Sequence, residues 1–85
     1  SLGAEIGAEI ETCRGRIDAV LETKKNIYIM EFKYNRPADE ALAQIHGTKY
    51  YEPYLADKNR RSIHLVGMSF SSEARNIGEW KEEIL

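Results

Sequence analysis

From Arg16 to Thr23 the chain alternates from side to side: Ile17, Ala19 and Leu21 oppose Arg16, Asp18, Val20 and Glu22. Residues 27–34, "IYIMEFKY", alternate again, with Tyr28, Met30, Phe32 and Tyr34 opposed to Ile27, Ile29, Glu31 and Lys33. A period of two predicts strands. Lys24 and Lys25, with Thr23 and Asn26 beside them, supply the hairpin turn. Loop length then decides which side chains meet. With two or four loop residues, Asp18 falls opposite Glu31 and Arg16 opposite Lys33, whereas three would send Asp18 to the other face. The even loop is the expectation.

The opening "GAEIGAEIE" repeats a four-residue unit. As a strand it sets Ala4, Ile6, Ala8 and Ile10 on one face; as a helix it would hold Gly7 inside at a cost of about 1 kcal/mol. A strand from about Ile6 to Thr12 is therefore expected, with "CRG" as the turn. After Tyr34 the period lengthens to that of a helix. Asn35 offers a cap, Pro37 a first-turn residue, and Asp39 and Glu40 acids near the positive end of the helix dipole. Ala38, Ala41, Leu42 and Ile45 form its buried stripe, and Pro53 sets its limit at about Glu52. "ADKNRR" reads as a polar turn and "SIHLVGMSF" as a strand inside a sheet. Strand, helix and strand make a right-handed crossover, so this strand should run parallel to Ile27–Tyr34. The tail is ambiguous: Ile77, Trp80 and Ile84 recur at helical spacing, with Asn76 and Glu79 as a weak cap pair, against a short edge strand around Trp80.

Eighty-five residues allow one small core. The apolar runs are too short to cross a bilayer and no signal peptide opens the chain. One cysteine, Cys13, excludes an internal disulfide and a cysteine-rich zinc site, so a cytoplasmic setting is expected. A net charge of -2 argues against a strongly basic nucleic-acid module. Basic residues still gather at Arg14/Arg16, Lys24/Lys25 and Lys58/Arg60/Arg61, three turns that could converge on one rim. The chain opens Ser-Leu without methionine, and the expectation is a piece of a larger protein.

The chemistry gathers on one strand face. Two carboxylates at one cross-strand spacing raise each other's pKa unless a cation sits between them. Mg²⁺ accepts one or two carboxylates, with water and phosphate oxygens completing its shell. A lysine beside such an ion can orient or deprotonate a water and stabilise charge developing on phosphate. Asp18, Glu31 and Lys33 thus suit phosphodiester hydrolysis.

"GRID", thirteen positions from Asp18 to Glu31, "EFK" and then "AQI" in the next helix resemble the PD-(D/E)XK nuclease superfamily. With "KYYEPYL" and "VGMSFSSEARNIGEW", residues 14 to 80 resemble more narrowly the bacterial branch found C-terminal to AAA-ATPase-like domains in proteins of unassigned role. The resemblance implies an α/β (α+β) restriction-endonuclease-like core over residues 1–85, ordered strand-strand-strand-helix-strand, with the tail undecided. It implies Asp18, Glu31 and the Phe32 carbonyl as ligands of Mg²⁺ (or Mn²⁺), Lys33 activating water, and Gln44 contacting the lysine or the phosphate. Nucleic acid, DNA or RNA, is the implied substrate, and an AAA-ATPase-like domain in the same parent chain the implied partner. The resemblance also implies a partner or a homodimer, which small nucleases of this type often need to enclose a duplex. Two departures stand out. Ile17 replaces the proline before the aspartate, and Thr48 stands where a tyrosine often follows the glutamine, leaving Tyr50 or Tyr51 as substitutes. Glu9 or Glu11 could supply the acid that some members draw from an earlier helix.

Each residue also has a plain reading. Glu31 and Lys33 could form surface ion pairs with Arg16 and Asp18, which contribute little; three positions of a half-buried sheet are an expensive place for mere solubility. Gln44 could simply be solvated. His46 and His64 read as surface and sheet residues, Cys13 as an inert turn residue, and the "KNRR" turn as a solvated loop. Tyr28, Phe32 and Tyr34 read as core rather than a base-stacking platform. The competing function is an inactive nuclease-like interaction or regulatory module, followed by hydrolysis of phosphate esters other than nucleic acid.

Overall fold

A computed structural model describes residues 5–12 and 15–85, with side chains described from Asp18 onward. The expectations placed on Cys13, and on the side chains of Glu9, Glu11, Arg14 and Arg16, lie outside the described residues. Strands β1 (Glu5–Thr12), β2 (Gly15–Glu22) and β3 (Asn26–Tyr34) precede helix α1 (Ala38–Thr48). A 3₁₀ turn (Glu52–Asp57), β4 (Ser62–Ser71) and β5 (Asn76–Ile84) follow. The sheet runs β1-β2-β3-β4-β5, and the β3–β4 pair, on either side of the α1 crossover, is parallel; the others are antiparallel.

The even hairpin loop forms. Glu22 pairs with Ile27, and the Thr23 amide donates to the Asn26 carbonyl at 2.8 Å. The Thr23 hydroxyl accepts the Asn26 amide at 2.9 Å, so a side chain closes the turn. Val20, Ile27, Ile29, Ile63 and Leu65 line one face of the sheet, and α1 covers them with Leu42 and Ile45. The helix lies close because Gly67 gives it room. A Cβ at that position would stand 2.5 Å from the Ala38 carbonyl oxygen and 3.0 Å from the Leu42 amide nitrogen.

The turn after β3, the limit of α1 and the exposure of the aromatics differ from expectation. Asn35 is not a cap; at φ 56° it turns the chain, and its side chain donates to the Ser72 hydroxyl at 2.8 Å. Pro37 holds the cap position without a side-chain cap bond, and the helix ends earlier, at Thr48, with Lys49 left-handed at φ 55°. Pro53 opens the 3₁₀ turn instead of stopping the α-helix. Of the two readings left open for the tail, the edge strand is the one that forms, over Asn76–Ile84. Its pairing with β4 turns Glu79, Lys81 and Glu83 toward α1, so the helical spacing of Ile77, Trp80 and Ile84 was coincidental.

The aromatics also differ from expectation. Tyr28, Met30, Phe32 and Tyr34 lie on the face opposite α1, which no described element covers. Phe32 and Tyr34 are exposed instead of forming core. Among the described residues no helix is long and apolar enough to cross a membrane.

Candidate active site

The ladder between β2 and β3 is paired from Glu22↔Ile27 to Ala19↔Met30. One step further its register sets Asp18 opposite Glu31, on the helix side of the sheet. The next hydrogen-bonded pair would join Ile17 to Phe32. The Phe32 amide instead donates to Asp18 Oδ2 at 2.8 Å. A carboxylate has taken the place of a backbone carbonyl. The Phe32 carbonyl, which points to the same side of its strand as the amide, therefore faces the Asp18 side as well.

Glu31 is buried, only 4 % exposed, although it is ionisable. Its Oε1 accepts the Gln44 side-chain amide at 2.6 Å, while Oε2 is buried with no hydrogen-bond partner. Lys33 donates from Nζ to Gln44 Oε1. Because a lysine can only donate, this contact fixes the Gln44 amide with its NH₂ toward Glu31. Gln44 is carried one turn beyond the Ala41/Leu42 contact, and Thr48 caps its carbonyl with a 2.6 Å hydroxyl bond. The Glu31 carboxyl is pushed up to about 7, first by burial and then by the Asp18 charge, with Lys33 offsetting part of the rise.

The structure thus brings Asp18, Glu31, Phe32, Lys33 and Gln44 to one place. It does not bring Tyr50, which packs in the core with Ile27 and Ile63 at the far end of the strands. Tyr51 packs edge-on against His46, with ring centres 6.1 Å apart. Of the three basic clusters, those with described side chains lie away from the site. Lys25 bonds Ser62 through its carbonyl, and Arg61 pairs with Glu22 and Asp57, at the opposite end of the sheet. His64 is a sheet residue stacked on Tyr28 at 4.4 Å, and His46 pairs with Glu83.

Sequence reasoning missed Glu79. Its Oε1 accepts the Ala38 amide at 2.9 Å, capping α1 from a strand 41 residues away. Only the pairing of β5 with β4 could have revealed it.

Among the described residues no three His, Cys, Asp or Glu side chains form a metal cage. Two carboxylates, a free buried oxygen on Glu31 and a backbone carbonyl nevertheless fit a hard cation that retains several waters. A mixed sheet crossed by one helix, with two acids and a lysine gathered beside that helix, defines an α/β protein of restriction-endonuclease-like fold. The chain belongs to the PD-(D/E)XK nuclease superfamily, whose family model matches residues 1–80. It is also 34 % identical over 79 residues to an uncharacterised protein from the vnfD 5′ region of Azotobacter chroococcum mcd 1. That match covers 91 % of this chain but 15 % of the relative. No solved structure matches.

Proposed function

We propose that this domain hydrolyses nucleic-acid phosphodiester bonds with a divalent cation, Mg²⁺ or in its place Mn²⁺. The buried, unpartnered Oε2 of Glu31 beside Asp18 carries the reading: two acids held this close, one with an unsatisfied oxygen, ask for a positive partner. Asp18, Glu31 and the Phe32 carbonyl would hold the ion, which supplies Lewis acidity toward a phosphate oxygen. Asp18 is itself aimed by the Phe32 amide. Lys33 orients the attacking water and stabilises negative charge on the phosphate. Gln44 sets the distance between Lys33 and Glu31, so amine and acid share one rigid link. Nucleic acid is the substrate, and an AAA-ATPase-like domain in a longer parent chain is the proposed partner; the curated relative's much greater length leaves room for one.

The test is cleavage of mixed DNA and RNA by the longest natural chain with and without Mg²⁺. Metal-dependent cleavage that drops by about 10²–10⁴-fold in Lys33→Ala supports the assignment. Undiminished cleavage in that variant removes Lys33 from the chemistry.

A further inference from the structure

Arg36 stands in the turn between β3 and α1, and both of its neighbours in the chain are fixed. The Asn35 amide donates to the Phe70 carbonyl at 2.8 Å, and the Asn35 side-chain oxygen accepts the Ser72 amide at 3.0 Å. Pro37 holds φ at -62°. The Arg36 guanidinium reaches forward along the helix, where Nε and Nη2 donate to separate Glu40 oxygens, each at 2.8 Å. Glu40 lies one turn before Gln44, so the two share an edge of α1. That edge faces the candidate centre, where Gln44 meets Lys33 and Glu31. The other edge, with Asp39 and His46, is tied to β5 through Lys81 and Glu83. Hydrogen bonds from Arg36 hold the Glu40 carboxyl below its ordinary range, and the Lys33 charge acts on it as well. We infer that Arg36 is a phosphate-binding residue of this site, gripping a nucleic-acid phosphate next to the one that Lys33 serves. The inference rests on the proposed nuclease reading and adds a substrate contact to it.

As mere support for the helix the pair is poorly built. Both side chains are exposed, at 64 % and 42 %, and such an ion pair contributes little. Its orientation is also the weaker one. A helix gains more from an acid placed before the base, and a cation at the positive end of the dipole is disfavoured. The guanidinium fork, by contrast, matches a carboxylate and a phosphate alike, with two parallel N–H···O bonds. The two non-bridging oxygens of a phosphodiester can take the places of Glu40 Oε1 and Oε2, and the exposed pair is given up at small cost. In the free protein Glu40 keeps the fork along the edge that carries Gln44. When substrate arrives, the fork passes to its phosphate. A lysine at this position would bring the charge without the fork.

The experiment is binding of a labelled mixed-sequence oligonucleotide, DNA and RNA in turn, to the longest natural chain across a salt series. Ca²⁺ replaces Mg²⁺ to hold back cleavage. Arg36→Ala should weaken binding about tenfold and lower the slope of log affinity against log salt by about 1, the loss of one phosphate contact. Arg36→Lys should keep the slope and recover only part of the affinity. Glu40→Gln, which breaks the same pair from the other side, should instead tighten binding. In Mg²⁺, Arg36→Ala should raise KM and leave kcat nearly unchanged, because the grip is the same in ground and transition states, whereas Lys33→Ala acts on kcat. If the unaltered chain binds and cuts nucleic acid while Arg36→Ala matches it in affinity and salt slope, the inference falls and the nuclease reading stands. Equal weakening by Arg36→Ala and Glu40→Gln, the mark of a pair that only supports the turn, has the same consequence. An unaltered chain that neither binds nor cuts either nucleic acid overturns both.

Discussion

Lys33 and Glu31 stand two residues apart on one strand face, yet they meet through a third residue. Gln44 accepts from the amine and donates to the carboxylate at 2.6 Å. Gln44→Leu should leave both charges without that link. Cation affinity at the site, read by calorimetry with Mg²⁺, is expected to fall about 10–100-fold, as outer-shell losses do. An unchanged isotherm would place Gln44 outside the site.

Glu31 makes the folded chain pH-sensitive. Its carboxyl titrates near 7 in the fold against 4.5 unfolded, so its ionised form is the costlier one when folded. Its contribution to stability is then whole below about pH 4.5 and lost as pH rises through 7. The difference amounts to roughly 3 kcal/mol. Thermal melts of Glu31→Gln should lie above those of the parent at pH 8 and converge with them near pH 4. Mg²⁺ should raise the parent's melting temperature more at pH 8 than at pH 6, because the ion needs the deprotonated acid. A parent whose melts ignore pH across this window would contradict the assignment.

Gly67→Ala is expected to destabilise by about 1–3 kcal/mol. The new methyl meets backbone atoms of α1, which cannot swing aside as a side chain can. The helix must lift, and Gln44 with it. Denaturant unfolding measures the first effect and Mg²⁺ titration the second.

Glu79→Ala removes the acceptor of the Ala38 amide and should cost about 1 kcal/mol, the usual value of a helix cap. For a chain of this size that is about 4–8 °C in Tm. Glu83→Ala, which breaks only the exposed pair with His46, should shift Tm far less.

Much of this was legible because short-range rules governed it. Alternation along the two strands and the turn at Lys24-Lys25 set the hairpin register from Ala19–Met30 to Glu22–Ile27, which one step further puts Asp18 opposite Glu31 and beside the Phe32 amide. The Ala38/Ala41/Leu42/Ile45 stripe is buried as its spacing requires. What escaped depends on partners distant in the chain. Asn35 looked like a cap because its proper partner, Ser72, is 37 residues away. The tail's helical spacing was overridden by a strand edge awaiting a partner. Phe32 and Tyr34 looked like core because an aromatic on an alternating strand normally is; composition does not say whether a layer covers that side.

Glu79 reaches the helix start from the final strand, and Lys81 joins it by binding Asp39 at 2.9 Å. The final strand is thereby tied to the first turn of the helix that carries Gln44 to Lys33 and Glu31. A protease nick among residues 72–75 would disable the centre while leaving every acid and amine in it untouched.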